Sequence, residues 1–125
     1  MPATLLVMIG GAIGALCRYW LGKFSFLLFG MSWPWGTLAA NLIGGLAMGL
    51  LAGILGRLAM GGEVWRLFVG VGILGGFTTF SSFSLETAMM IERGALLSAG
   101  AYVGASVVGA IGALFVGLMI ARVVA

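Results

Sequence analysis

The sequence predicts an all-α membrane protein: a single domain spanning residues 1–125, with four transmembrane helices and almost nothing outside the bilayer. Three observations lead there. First, 62% of the 125 residues are hydrophobic and 7% are charged. A soluble domain carries about a quarter charged residues, so this chain could not cover its own surface with polar groups. Second, the few charges punctuate four apolar stretches, each meeting the roughly 20 residues needed to cross a core of about 30 Å. Third, the chain holds 23 glycines. Glycine weakens a soluble helix, but in a membrane it lets helices approach closely.

The first stretch runs from about Thr4 to Leu21 and the second from about Gly36 to Leu55 or Gly56. The third runs from about Trp65 to Ile91 and the fourth from about Leu96 to Ile120. Between them lie Arg18 and Lys23, then Arg57, Glu63 and Arg66, then Glu92 and Arg93, with Arg122 after the last. The first stretch lacks a basic leader and a clean small-residue cleavage site, so it reads as a retained span rather than a signal peptide. Trp20, Trp33, Trp35 and Trp65 fall at span ends or in the first connection, where interfacial belts place tryptophan. The FSFLLFG segment (24–30) is too apolar for a free loop and is expected to lie along the interface.

The third stretch is longer than a bilayer core needs. As one straight helix its 27 residues, from Trp65 to Ile91, would reach about 40 Å. It also carries Gly75 and Gly76 followed by Thr78 and Thr79, and glycine pairs and hydroxyl residues cause helix breaks. An interrupted third helix is therefore predicted, its irregular backbone buried or lining a wet cavity; the alternative is a tilted continuous helix with a packed glycine pair. Stripes of small residues run along the second span (Gly45, Gly49, Gly53) and the fourth (Ala101, Ala105, Gly109, Ala113, Gly117). Spacing of four keeps each stripe on one face and marks it as a packing surface. The lone Cys17 excludes an intramolecular disulfide and reads as a small buried apolar residue.

Lysine and arginine bias sets membrane orientation. Here Arg57, Arg66 and Arg122 fall on one side and Arg18, Lys23 and Arg93 on the other. With no side favoured, the chain is expected to insert both ways round and to pair as an antiparallel homodimer. The plain alternative is that Arg18 or the terminal amine tips the balance. The basic residues form no cluster, so no nucleic-acid partner is expected.

Polar groups inside spans are costly and mark function. Asn41 can donate two hydrogen bonds and accept others, or simply bond a neighbouring helix. Thr37 lies one turn before it. The densest polar segment is GGFTTFSSFSLE (75–86). Its Phe80 and Phe83 stand three apart, flanked by Thr79, Ser81, Ser82 and Ser84. A phenyl ring has a positive edge, so ring edges with hydroxyl donors suit a small anion. Ordinary packing explains two such rings equally well. Tyr102 and Ser106 form a second polar strip that either lines a path or bonds backbone carbonyls. Glu86 would repel an anion; it either sits in a wet vestibule or pairs with Arg18.

Together, GGAIGALCRY (10–19), WPWGTLAANLIGG (33–45), GGFTTFSSFSLE (75–86) and AYVGAS (101–106) resemble the bacterial fluoride channels of the Fluc, or CrcB, family. The resemblance covers essentially the whole chain. It implies a fluoride-selective channel in the bacterial cytoplasmic (inner) membrane, exporting fluoride passively and conferring fluoride resistance. It implies an antiparallel, dual-topology homodimer with two pores. On that similarity the ring edges of Phe80 and Phe83 contact fluoride, and Asn41 orients them. Thr37, Ser82, Tyr102 and Ser106 join the polar path, and Arg18 matches a basic residue near the vestibule. A structural sodium ion at the dimer centre would be held by backbone carbonyls of Gly75 and Thr78. Ala110 stands where family members often carry a further serine.

Three rivals fare less well. A proton-coupled drug exporter needs a carboxylate in the first span, and residues 4–21 hold none. An intramembrane enzyme lacks a general base, since the chain has no histidine and no aspartate. A structural scaffold would leave the polar residues of the spans dispensable.

Overall fold

The computed structural model describes residues 2–30, 32–58 and 60–124. Among these residues every regular element is helical: α1 (Ala3–Phe29), α2 (Trp35–Leu55), α3 (Gly62–Trp65), a π-helical segment (Arg66–Leu74), α4 (Gly75–Phe77), α5 (Ser81–Glu92) and α6 (Leu96–Val124). Four helical stretches are long and apolar enough to cross a membrane: Ala3–Phe29, Trp35–Leu55, Gly62–Glu92 and Leu96–Val124. The four-span architecture is therefore the observed one.

The first helix is longer than expected. It runs through FSFLLF to Phe29 instead of giving way to an interfacial connection after Lys23. Lysine is a good helix former, and no glycine or proline intervenes between Lys23 and Gly30. The helix stops at Gly30, whose φ of 77° is open to glycine, and whose N–H bonds the Phe26 carbonyl at 2.8 Å. Pro34 then fixes the entry to α2.

Two glycine seams set the packing. In the first, α1 lies against the π-helical segment and α4. A Cβ on Gly10 would strike the Phe68 carbonyl oxygen and stand 3.0 Å from the Gly72 Cα. One on Gly14 would strike the Ile73 carbonyl, and one on Gly76 would meet the Gly11 oxygen at 2.5 Å. In the second seam, Gly45 and Gly49 of α2 press on the backbone of Ala110 and Leu114 in α6. Gly117 of α6 in turn faces Leu46 and Leu50. The expected stripe on α6 is only partly used, because Ala101 and Ala105 point outward. Cys17 is exposed, correcting the expectation of a buried residue. Cys17 lies seven residues beyond the buried Gly10 on the same side of α1, but it is left uncovered there.

The third span is irregular. The π-helical segment runs into α4 with Gly75 in ordinary helical geometry (φ −62°, ψ −38°). Thr78 is extended (φ −83°, ψ 159°), and α5 begins at Ser81. The glycine pair itself is thus helical, since Gly76 serves close approach to α1. The backbone departs from helix three residues later than Gly75. Before the departure α4 and the π-helical segment pack on α1; after it α5 packs on α6.

Candidate functional site

The non-helical turn of the third span leaves backbone groups that must find partners at membrane depth. Asn41, on α2, supplies two. Its Oδ1 accepts the Thr79 N–H at 3.1 Å, and its Nδ2 donates to the Thr79 carbonyl at 3.3 Å. Thr78 Oγ1 donates to the Leu74 carbonyl at 2.9 Å. Thr79 Oγ1 accepts the Ser82 N–H at 3.2 Å, so the residue before the N-cap Phe80 satisfies one of the free first-turn donors of α5. Threonine and asparagine compete well with helical backbone bonds, which is why this stretch can leave the helix. Arg18 reaches over from α1 and donates its Nε to the Gly76 carbonyl at 3.2 Å. That contact answers the choice over Glu86. Glu86 does not pair with Arg18; its Oε1 accepts from Thr37 Oγ1 at 2.6 Å and lies 3.5 Å from the Tyr102 hydroxyl. Arg18 and Glu86 belong to opposite ends of the irregular turn, and each satisfies the nearer polar groups.

Asn41, Phe80, Phe83 and Ser106 gather in one groove of about 480 Å³ between α2, the irregular turn and α6, together with Gly75 and Thr78. Phe80 lies just before α5 and is 77% exposed, whereas Phe83 is buried. Their ring centroids are 5.6 Å apart at 48°. They therefore meet as a turn residue and a helix residue rather than as neighbours along one helix face. Ser106 is buried, and its Oγ has no hydrogen-bond partner among the described residues. A buried hydroxyl without a partner is costly, which makes Ser106 a candidate contact for a polar guest. Ala110 also lines the groove, contributing a methyl where a hydroxyl would extend the polar wall.

Other expected site residues lie outside this groove. Tyr102 is fully buried behind Phe83, with ring centroids 5.2 Å apart. Thr37 and Glu86 line a second cavity of about 330 Å³ with Trp33 and Arg93. Arg18 lines a third, of about 530 Å³, with Lys23 and again Thr37. Ser82 lines none of the three and offers its backbone N–H to Thr79.

Sequence reasoning missed two features. Trp33, read only as an interfacial residue, packs edge-on against Tyr102 at 5.4 Å and 76°. The α1 seam was signalled by Gly10 and Gly14, four apart, facing Gly72 and Gly76 at the same spacing.

A four-span membrane protein whose polar residues converge on a non-helical turn has the design of a conduit or a carrier. The comparisons narrow this. Residues 5–118 match the family described as CrcB-like protein, Camphor Resistance (CrcB). The chain is 55% identical to the Fluoride-specific ion channel FluC of Sphingopyxis alaskensis over 98% of this chain and 97% of that one. It is 57% identical to that of Phenylobacterium zucineum, again over 98% and 97%, and 51% identical to that of Caulobacter vibrioides over the same shares. The chain belongs to the CrcB family. It is a multi-pass bacterial membrane protein.

Proposed function

We propose that this protein is a fluoride-specific ion channel, and no enzyme, that exports fluoride passively across the cytoplasmic membrane and so confers fluoride resistance. One observation carries the reading beyond the names of its relatives. The unpartnered Ser106 hydroxyl, the Phe80 and Phe83 rings and the Asn41 amide converge on one groove lined by no lysine or arginine. Hydroxyl and amide donors with positive ring edges stabilise a small anion without trapping it. A lysine or arginine there would bind tightly and slow release.

The groove is open on one side, with Val107, Ile111 and Phe80 on its exposed rim. A second, oppositely inserted copy would close it, giving two pores per antiparallel dimer. The balanced charges of the two membrane sides support dual insertion. The departure from helix at Thr78 is then a functional interruption of the third span. Backbone carbonyls of Gly75 and Thr78 suit a hard cation such as sodium at the dimer centre. Two observations support this reading: the Thr79 N–H turns to Asn41 Oδ1 instead of the Gly75 carbonyl, and Thr78 is extended. When bound, the ion would satisfy carbonyls freed by the turn and lock two chains together.

The test is fluoride efflux from liposomes containing the purified protein, with chloride as control. Rapid fluoride loss with chloride retained is the expected result. No efflux, or equal efflux of both anions, would refute the proposal.

A further inference from the structure

Beyond Phe83 the aromatic contacts do not stop. Phe83 touches Tyr102 at 5.2 Å, Tyr102 touches Trp33 at 5.4 Å, and Trp33 touches Trp35 at 4.8 Å. The row of rings leads from the groove past the Thr37–Glu86–Tyr102 cluster to the separate 330 Å³ cavity. That cavity is walled by Ser25, Ser32, Trp33, Thr37, Glu86 and Arg93. It holds one full negative charge, Glu86, and one full positive charge, Arg93. Glu86 is turned to hydroxyl donors: Thr37 Oγ1 donates to it at 2.6 Å. Arg93 follows the last residue of α5 and is exposed; its backbone N–H donates to the Met89 carbonyl, while no hydrogen bond or ion pair occupies its guanidinium among the described residues. Glu86 and Arg93 are seven residues apart, two turns on the same side of α5, or about 10 Å along the axis.

We propose that this cavity is the second mouth of the conduction path, where Arg93 is the cation that draws the anion in or receives it on leaving, and Trp33 is its aromatic wall. The inference rests on the channel reading above. Without Arg93 the cavity would carry only the Glu86 carboxylate and would repel the ion the groove is built to pass. Trp33 offers an indole N–H donor and a ring edge, the same chemistry as Phe80, Phe83 and Ser106 one step earlier. Arg93 acts by charge and stands at the rim rather than in the narrow part, so it raises local anion concentration without binding the ion for long.

The experiment compares efflux by the parent, Arg93→Gln, Arg93→Lys and Arg122→Gln at low and high ionic strength. A charge about 10 Å away is felt at low salt and largely screened near 0.5 M. Arg93→Gln is expected to slow fluoride efflux by about two- to tenfold at low ionic strength and to approach the parent at high salt. Arg93→Lys should stay near the parent throughout, as should Arg122→Gln, which lies at the other end of the chain's fold. Efflux by Arg93→Gln equal to the parent at low salt would overturn the mouth alone. So would an equal loss in Arg122→Gln, or a loss that salt does not relieve. Absence of fluoride efflux from the parent would overturn the channel reading and the mouth with it.

Discussion

Replacing Asn41 with alanine tests the joint between α2 and the irregular turn. The side chain makes two hydrogen bonds, at 3.1 and 3.3 Å, to the N–H and carbonyl of one residue, Thr79. Asn41→Ala removes both at once and leaves two backbone groups at membrane depth without partners. Each such group costs about 1–3 kcal/mol when orphaned. Interhelical bonds in membranes average nearer 0.6 kcal/mol, with a maximum of about 1.7. The lower bound is therefore about 1 kcal/mol, and the expected loss, with Thr79 half-buried, is roughly 2–4 kcal/mol. Asn41→Asp separates the two bonds. It keeps an acceptor for the Thr79 N–H but sets a carboxylate against the Thr79 carbonyl, so it should lose stability and abolish anion passage as well. The assay is reversible unfolding in mixed micelles, read by tryptophan fluorescence, alongside fluoride efflux. Asn41→Ala with the parent's stability and efflux would show that the Asn41–Thr79 pairing neither holds the turn nor serves conduction.

Four further outcomes are expected. Phe80→Ile and Phe83→Ile should both slow fluoride efflux, but only Phe83→Ile should also lower stability, by about 1–3 kcal/mol, because Phe83 is buried and Phe80 is 77% exposed. Thermal unfolding measured beside efflux separates the two effects. Gly49→Ala should weaken the α2–α6 joint by about 1–3 kcal/mol, since its Cβ would collide with the Leu114 carbonyl; loss of folded yield or a lowered unfolding midpoint would report it. Replacing sodium with a bulky organic cation during long incubation should weaken the proposed dimer and reduce efflux, followed by cross-linking between copies. Finally, Arg66→Gln should leave the unfolding midpoint unchanged, because its pair with Glu63 at 2.5 Å is exposed on both sides.

Hydropathy made the four spans legible, because a bilayer imposes length and composition on whatever crosses it. The limits of those spans were less visible. Lys23 and the tryptophans read as an end to α1, yet the helix carries on to Phe29. One lysine among strong helix formers does not stop a helix, and Gly30 does. Gly75, Gly76, Thr78 and Thr79 together pointed to an interruption over Gly75–Thr78; within that range the glycines are helical, and Gly76 is spent on close approach to α1. What releases the helix is Thr78, with Thr79 and the distant Asn41 taking up the free backbone groups. Such a partnership spans 38 residues, and nothing local encodes it. The same holds for Glu86. Its neighbours Thr37 and Tyr102 come from two other helices, so its charge alone left two readings, a wet vestibule or an ion pair with Arg18, and the fold does not form that pair.

The departure from helix at Thr78 also changes whom the third span belongs to. Its first half shares a backbone-to-backbone seam with α1, with glycine against glycine and no side chain between. Its second half keeps company with α6 and α2, held by Phe83, Tyr102 and Asn41. One stretch of chain thus serves two neighbourhoods, and the few residues at the changeover, Thr78 to Phe80, are where their relative position is decided. Phe80, which closes that changeover, is also the ring it turns out onto the rim of the groove.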